Sequence, residues 1–256
     1  MSILKTIIKI AAPPPKIEEF DRFLFIGPHP DDIEIGAGAT AAKLASLGKK
    51  VCFLICIDGR YGTENSPSVP PEEMLVTRKK EAIRSAALLG VDDVRFLGYR
   101  DGGFYSYDNL ICSIAEIVGD FAPDVIFAPD PCVTSECHQD HLNVGTAARQ
   151  VAYFAPYDNI MVNMEAKPAE VKALAYYMTA KPNRYVNTTG FFDRQLDSIF
   201  TCHLSQFPEG CEAAKSISLY LKLRAYDYGI RNLCRTADGF RVLSQTMMHC
   251  LPEAGD

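Results

Sequence analysis

Between Asp21 and Arg149, short β-branched or aromatic runs alternate with longer stretches at helical spacing. No other feature of the chain restricts its fold as strongly. Residues 22–26 read as a first strand, and residues 36–47 as an Ala-rich helix stopped by Gly48. Residues 51–57 form a second strand that is apolar on both faces, as expected where helices cover both sides of a parallel sheet. A helix over 74–89 follows, with Leu75, Ala82, Ile83, Ala86 and Leu89 toward the core and Gly90 at its end. Residues 94–97 give a third strand, 110–121 a helix, 125–128 a fourth strand after Pro123, and 141–154 another helix. That order requires right-handed crossovers and predicts a Rossmann-like, doubly wound α/β domain with a mostly parallel sheet. A strand order of 3-2-1-4-5 places the first and fourth strands side by side at the switch point, where such sheets bind ligands.

The pattern weakens after residue 155. Residues 171–178 read as a strand extending the sheet, 180–189 as a loop rich in Pro, Asn and Thr, and 210–224 as a helix. The chain divides into an N-terminal arm over 1–20 and one domain over 21–256. Residues 155–256 of that domain form a C-terminal subregion near the site. The arm carries Lys5, Ile7, Ile8, Lys9 and Ile10, then a Pro13-Pro14-Pro15 joint, and is expected to pack on the domain. Its apolar part is too short, and too interrupted by lysine, for a signal peptide, so the expected location is cytoplasmic.

Composition excludes some partners. A net charge of −6 without a basic run argues against nucleic acid. No apolar stretch has the length of a membrane span. Nine scattered cysteines fit reduced thiols better than a disulfide framework. Cys132 and Cys137, just before His138, are candidate thiolate ligands. Self-association into a homo-oligomer stays open at this level.

The chemistry concentrates at two predicted strand ends. Gly27-Pro28-His29-Pro30-Asp31-Asp32-Ile33-Glu34 follows the first strand, and His138-Gln139-Asp140-His141 follows the fourth. Three of the chain's five histidines lie in these two motifs. Pro30 biases His29 toward extended backbone. His29 and Asp32 can then grip one cation while Asp31 faces the open side as a base. The competing reading makes Asp31 or Asp32 a helix cap, and Asp140 an N-cap beside two exposed histidines. Two histidines and an aspartate suit a catalytic zinc site acting through a metal-bound water. The same set also suits ferrous iron.

The His-Pro-Asp-Asp-x-Glu signature and the downstream His-x-Asp-His resemble the LmbE-like (PIG-L) zinc N-deacetylases. That family includes de-N-acetylases of the glycosylphosphatidylinositol, mycothiol and bacillithiol pathways. Asp58-Gly59, Arg78 to Glu81, Leu97-Gly98-Tyr99-Arg100-Asp101-Gly102 and His203-Leu204-Ser205-Gln206 are similar to further family elements, so the resemblance spans residues 22–206. Pro28 departs from the Ala or Ser common before the histidine. The resemblance implies that His29, Asp32 and His141 ligate zinc and that Asp31 is the general base. It also implies that His138 faces the developing oxyanion, with Asp140 as its orienting partner. Asp140 alternatively orients His141. The substrate implied is a small N-acetylated amino sugar of the N-acetylglucosaminyl type.

Arg60, in the loop after the second strand, is a candidate grip for substrate, against the reading of a solvent-exposed arginine. Arg78 either reaches the site or pairs with Glu81 on its own helix. Asp101, beside Tyr99 and Arg100, is expected on the rim of the site. His203 is either a substrate contact or a packed, hydrogen-bonded histidine. The alternative to an enzyme is a non-catalytic Rossmann-like module that holds a metal or sugar. No Gly-x-Gly-x-x-Gly follows a strand, since Gly27, Gly36 and Gly38 miss that spacing, so a dinucleotide cofactor is not expected.

Overall fold

A computed structural model describes residues 3–251, apart from the side chains of residues 4, 5, 6 and 9. The elements in chain order begin with α1 (Ile3–Ala11), β1 (Arg22–Gly27), α2 (Asp32–Ser46), β2 (Lys50–Ile57), α3 (Pro71–Leu89) and β3 (Asp93–Tyr99). They continue with α4 (Tyr107–Phe121), β4 (Val125–Pro129), α5 (Gln139–Phe154), α6 (Asp158–Asn163) and β5 (Ala173–Tyr177). The chain then forms β6 (Arg184–Asn187), α7 (Phe192–Phe200), α8 (Glu212–Arg231), β7 (Ala237–Ser244) and α9 (Gln245–His249).

One seven-stranded sheet runs β3-β2-β1-β4-β5-β7-β6. Its first five strands are parallel and follow the predicted order, and β7 and β6 add antiparallel at the far edge. The period-2 pleat sorts the apolar residues between two layers. Leu24 and Ile26 of β1 point into a core with Ile114 of α4 and Val144 of α5. Phe23 and Phe25 point the other way, toward Ala37 of α2 and Ala86 of α3. Phe25 stacks on Phe127 of β4 with centroids 4.1 Å apart, locking the two central strands together.

Several expectations need correction. Residues 180–189 contain the edge strand β6 rather than only a loop, and β7, α6, α7 and α9 were not anticipated. On α3 the core face is Met74, Ala82, Ala86 and Leu89, with Arg78, Glu81 and Ser85 buried beside them. Ile83 is exposed and Leu75 only partly covered. The arm is helical, yet Ile3, Ile7 and Ile10 are exposed. Packing begins at the proline joint, where the Arg184 guanidinium donates to the carbonyls of Pro14 and Pro15, and at the fully buried Ile17. The arm's outermost residues, Met1 and Ser2, and residues 252–256 lie outside the described part.

One close approach sets where α2 begins over the strand ends. A Cβ on Gly36 would lie 2.2 Å from the Tyr177 ring, so only glycine lets α2 sit on it. The Tyr177 hydroxyl donates to the Ile26 carbonyl at 2.8 Å, tying β5 to the end of β1 just before His29.

Candidate metal centre and active site

The β1–α2 turn and the β4–α5 loop meet above adjacent strands. Three donors converge there: His29 Nδ1 is 3.3 Å and His141 Nε2 3.4 Å from the same oxygen, Asp32 Oδ2. That carboxylate also accepts the His29 backbone N–H at 2.8 Å, so it is spent on fixing the turn and not on a free helix cap. The second nitrogen of each imidazole is held by carboxylates. His29 Nε2 lies 3.2 Å from both Asp101 and Asp140, and His141 Nδ1 lies 3.0 Å from Glu136. Carboxylates on the far nitrogens orient metal-ligating histidines and raise their basicity.

The set of His29, Asp32 and His141, with ligand atoms within 4.8 Å of one another, fits a divalent ion. A second grouping of His29, Asp101, His138 and Asp140 is equally close. Its carboxylates are committed elsewhere, however. Asp140 accepts the Gly102 N–H and the Tyr105 hydroxyl, each at 2.8 Å, and Asp101 accepts the Tyr61 N–H at 3.1 Å. Cys132 and Cys137 are exposed and belong to neither group, which removes them as ligands among the described residues.

The local charges respond to this crowding. Burial works against the His29 imidazolium, but Asp101, Asp140 and Asp32 outweigh it and hold its pKa well above the usual range. Burial likewise disfavours the Asp32 carboxylate, yet His141 and His29 hold its pKa well below normal. His141 is lowered by burial but raised more by Asp32, reaching about 9. The same carboxylates would compensate the charge of a bound cation.

Asp31 occupies the N-cap position of α2 at φ 131, ψ −25, and its side chain makes no cap bond. A non-glycine residue held there stores about 1–3 kcal/mol of strain, which the surroundings must impose. Arg78 imposes it. Its guanidinium donates to Pro30 O at 2.8 Å and Gly59 O at 3.1 Å, and sits 3.2 Å from Asp31 Oδ1. Arg78 therefore reaches the site and does not pair with Glu81, which instead accepts the Ser205 N–H and hydroxyl. Burial raises the Asp31 carboxyl to about 6, Asp32 adding and Arg78 opposing.

His138 is the N-cap of α5, a place the sequence reading left to Asp140. Its Nδ1 accepts the Asp140 backbone N–H at 3.3 Å. Asp140 Oδ2 is 3.9 Å from His138 Nδ1, beyond a hydrogen bond, so the fully buried Asp140 side chain orients His29 rather than His138 or His141. Burial and repulsion from His29 and His141 lower the His138 imidazole below its usual range.

A cavity of about 390 Å³ opens beside these groups, lined by His29, Asp31, Arg78, Asp101 and His138, with Tyr61, Glu64 and Gln206 at its edge. Arg60 is not among the lining residues. Its guanidinium is engaged by Asp58 at 2.8 Å and Glu72 at 2.8 Å. His203 is fully buried, 3.2 Å from Glu34, and also stands off the cavity. Tyr99 is likewise turned away, bonded to Ser113 at 2.8 Å. Glu136 and Tyr105 were not singled out from sequence. Glu136 is findable by asking which carboxylate lies within about a turn of a ligating histidine, whereas Tyr105 carries no such signal.

Comparison with known proteins agrees with this geometry. Residues 24–152 match the family model PIG-L, described as GlcNAc-PI de-N-acetylase. The chain is 31% identical over 238 residues to diacetylchitobiose deacetylase of Thermococcus kodakarensis, covering 91% of this chain and 87% of that protein. It is 28% identical over 201 residues to a 1D-myo-inositol 2-acetamido-2-deoxy-alpha-D-glucopyranoside deacetylase of Kineococcus radiotolerans, covering 67% and 55% of the two chains. Among solved structures, N,N'-diacetylchitobiose deacetylase from Pyrococcus horikoshii superposes with a TM-score of 0.83 at 30% identity, covering 98% and 97% of the chains. GalB, a 4-carboxy-2-hydroxymuconate hydratase from a Pseudomonas, shares the fold at a TM-score of 0.70 with only 16% identity, so the fold does not by itself dictate the reaction. With His29, Asp32 and His141 brought together, His29, Asp31 and His138 lining the adjacent cavity, and relatives matching across nearly the whole length, the chain belongs to the PIG-L (LmbE-like) family of metal-dependent N-deacetylases.

Proposed function

We propose that this protein hydrolyses the acetamide of a small N-acetylglucosamine-type sugar or conjugate, with zinc held by His29, Asp32 and His141. The observation that carries the reading is the convergence of two carboxylate-backed imidazoles on Asp32, next to a second, strained carboxylate facing the same cavity. A divalent ion in that position polarises the amide carbonyl and acidifies water, and ferrous iron would serve the same donors.

The chain's own residues supply the rest. Asp31 is held by Arg78 toward the cavity, where it accepts the proton of the attacking water and returns it to the leaving amine. The tautomer of His138 is set by its capping role: Nδ1 accepts a backbone N–H, so the neutral ring carries its proton on Nε2. That N–H donates to the carbonyl oxygen as negative charge develops, a contribution of about 3–4 kcal/mol by comparison with oxyanion-hole donors. Asp140 and Glu136 hold the ligand histidines in register. Tyr61, Glu64 and Gln206 present the polar groups that meet sugar hydroxyls.

The test is amine release from N-acetylglucosamine and its conjugates by the wild type and Asp31→Asn, each stripped of metal and resupplied with zinc. Asp31→Asn should bind zinc normally and lose about 10²–10⁴-fold in kcat. A variant that keeps both metal and full activity would remove Asp31 as the base.

A further inference from the structure

A second cavity, of about 220 Å³, lies between α2, the β4–α5 loop, the segment after β5, and α8 with β7. It shares no lining residue with the catalytic cavity. Its wall on α8 is Tyr220, Arg224 and Tyr228, spaced by four residues and therefore on one face of the helix. A glycine fits that wall to the strand beneath. A Cβ on Gly239 of β7 would lie 2.8 Å from Cε2 of Tyr228, so glycine lets the ring lie against the strand.

The two charges in this cavity are anchored from elsewhere and not by each other. Asp238 of β7 is only 5% exposed. Its Oδ2 accepts the Thr40 backbone N–H at 3.0 Å and the Thr40 hydroxyl at 2.7 Å. Its Oδ1 has no hydrogen-bond partner among the described residues. Arg224 donates through Nη2 to the Ile35 carbonyl at 2.6 Å, and its guanidinium stands 5.3 Å from the centre of the Tyr220 ring. Burial raises the Asp238 carboxyl, with Thr40 and the charge of Arg224 opposing, yet the two side chains form no ion pair. A buried carboxylate oxygen left without a donor is costly and calls for a partner.

These groups select the ligand chemistry. A cation meets Arg224, an anion meets Asp238, and an apolar ligand strips water from both without replacing its bonds. A neutral ring bearing hydroxyls donates to Asp238, accepts from Arg224 and lays its C–H face on tyrosine. Ser135 in the same wall adds a hydroxyl that both donates and accepts. The volume equals that of about seven waters, room for one such ring and not for a chain of them.

We propose that this cavity is a second, non-catalytic binding site for one neutral pyranose, held by Asp238 and Arg224 against Tyr220 and Tyr228. Val133 and Ser135 of its wall belong to the loop that carries Glu136 and His138, so one loop borders both cavities. The proposal stands whether or not the metal site hydrolyses an acetamide.

The experiment is a saturation-transfer NMR titration of the zinc-loaded protein with D-glucose, which carries no acetamide, and with L-glucose as the control for non-specific contact. D-glucose should bind with a Kd of about 1–10 mM and L-glucose should not saturate. Asp238→Asn should weaken D-glucose at least about tenfold. Tyr220→Ala should weaken it about 3–10-fold with an unchanged circular-dichroism melt, because Tyr220 is exposed. Asp31→Asn, on the catalytic cavity, should leave the Kd as in the wild type. Absence of D-glucose binding at 100 times the protein concentration and above, or a Kd unmoved by both Asp238→Asn and Tyr220→Ala, overturns the proposal. So does a Kd that responds to Asp31→Asn instead, which puts the sugar in the catalytic cavity. Binding of tetramethylammonium in place of D-glucose, lost in Asp238→Asn, overturns the neutral ligand.

Discussion

Asp140 separates two accounts of the site, because the structure moves its influence from His138 to His29. The carboxylate is fully buried and receives three donors: the Gly102 N–H, the Tyr105 hydroxyl and His29 Nε2. Asp140→Ala leaves the Gly102 N–H and the Tyr105 hydroxyl without an acceptor at about 1–3 kcal/mol each, or about 2–6 kcal/mol together, while His29 Nε2 keeps Asp101. Unfolding a chain of 256 residues carries an entropy of about 0.5 kcal/mol/K, so the melting temperature of the metal-free protein should fall by about 4–11 °C. Asp140→Asn keeps the shape and most of these bonds, and its stability loss should stay near ~1 kcal/mol. Its effect should appear in the metal instead. With a weaker acceptor behind Nε2, His29 is less firmly oriented and less basic, and zinc affinity should drop about 10–100-fold, or ~1.4–2.7 kcal/mol. Competition against a chromogenic chelator measures the affinity and scanning calorimetry the stability. An Asn variant with wild-type zinc affinity and a loss confined to kcat would refute the reasoning and return Asp140 to a role on His138.

Two further outcomes follow from the same geometry. Glu136→Gln should weaken zinc about tenfold through His141 while leaving the melt nearly unchanged, since Glu136 is partly exposed; equal affinity in the chelator assay would remove it as an orienting group. Asp130, just after β4, is buried and bonded to Arg241 at 2.5 and 2.9 Å and to Thr179 at 2.6 Å. Burial raises the Asp130 carboxyl, but Arg241 and Thr179 outweigh it and hold the pKa below the usual carboxylate range. The stability it contributes is therefore full above its unfolded pKa of about 3.9 and fades as pH falls through the lower folded value. The gap in melting temperature between wild type and Asp130→Asn should be constant from pH 5 to 7 and shrink below about pH 4; a gap that widens on acidification contradicts the sign.

Periodicity and motif chemistry made the first half of this protein legible. Short, continuous apolar runs separated by helical spacing specify parallel strands and crossovers through local physics. Pro30 and the paired aspartates mark a turn whose chemistry is readable residue by residue. The five-strand order followed from these, whereas the choice of His29, Asp32 and His141 as metal donors rested on the family resemblance. The antiparallel edge was hidden because β7 contains Asp238 and Arg241, residues that ordinarily argue against a buried strand. They are tolerated there because Thr40 donates to Asp238 at 2.7 Å and Asp130 pairs with Arg241 across the sheet, partners 198 and 111 residues away. The duties of Asp140, Arg78 and His138 were likewise decided in three dimensions. A carboxylate or guanidinium acts on whichever group lies within about 3 Å, and for Asp140 and Arg78 that group was brought near by folding and not by chain position. Sequence determined which chemical groups stand at the strand ends; tertiary structure decided which of them touch, because hydrogen bonds and ion pairs are short-ranged and the residues that make them are far apart along the chain.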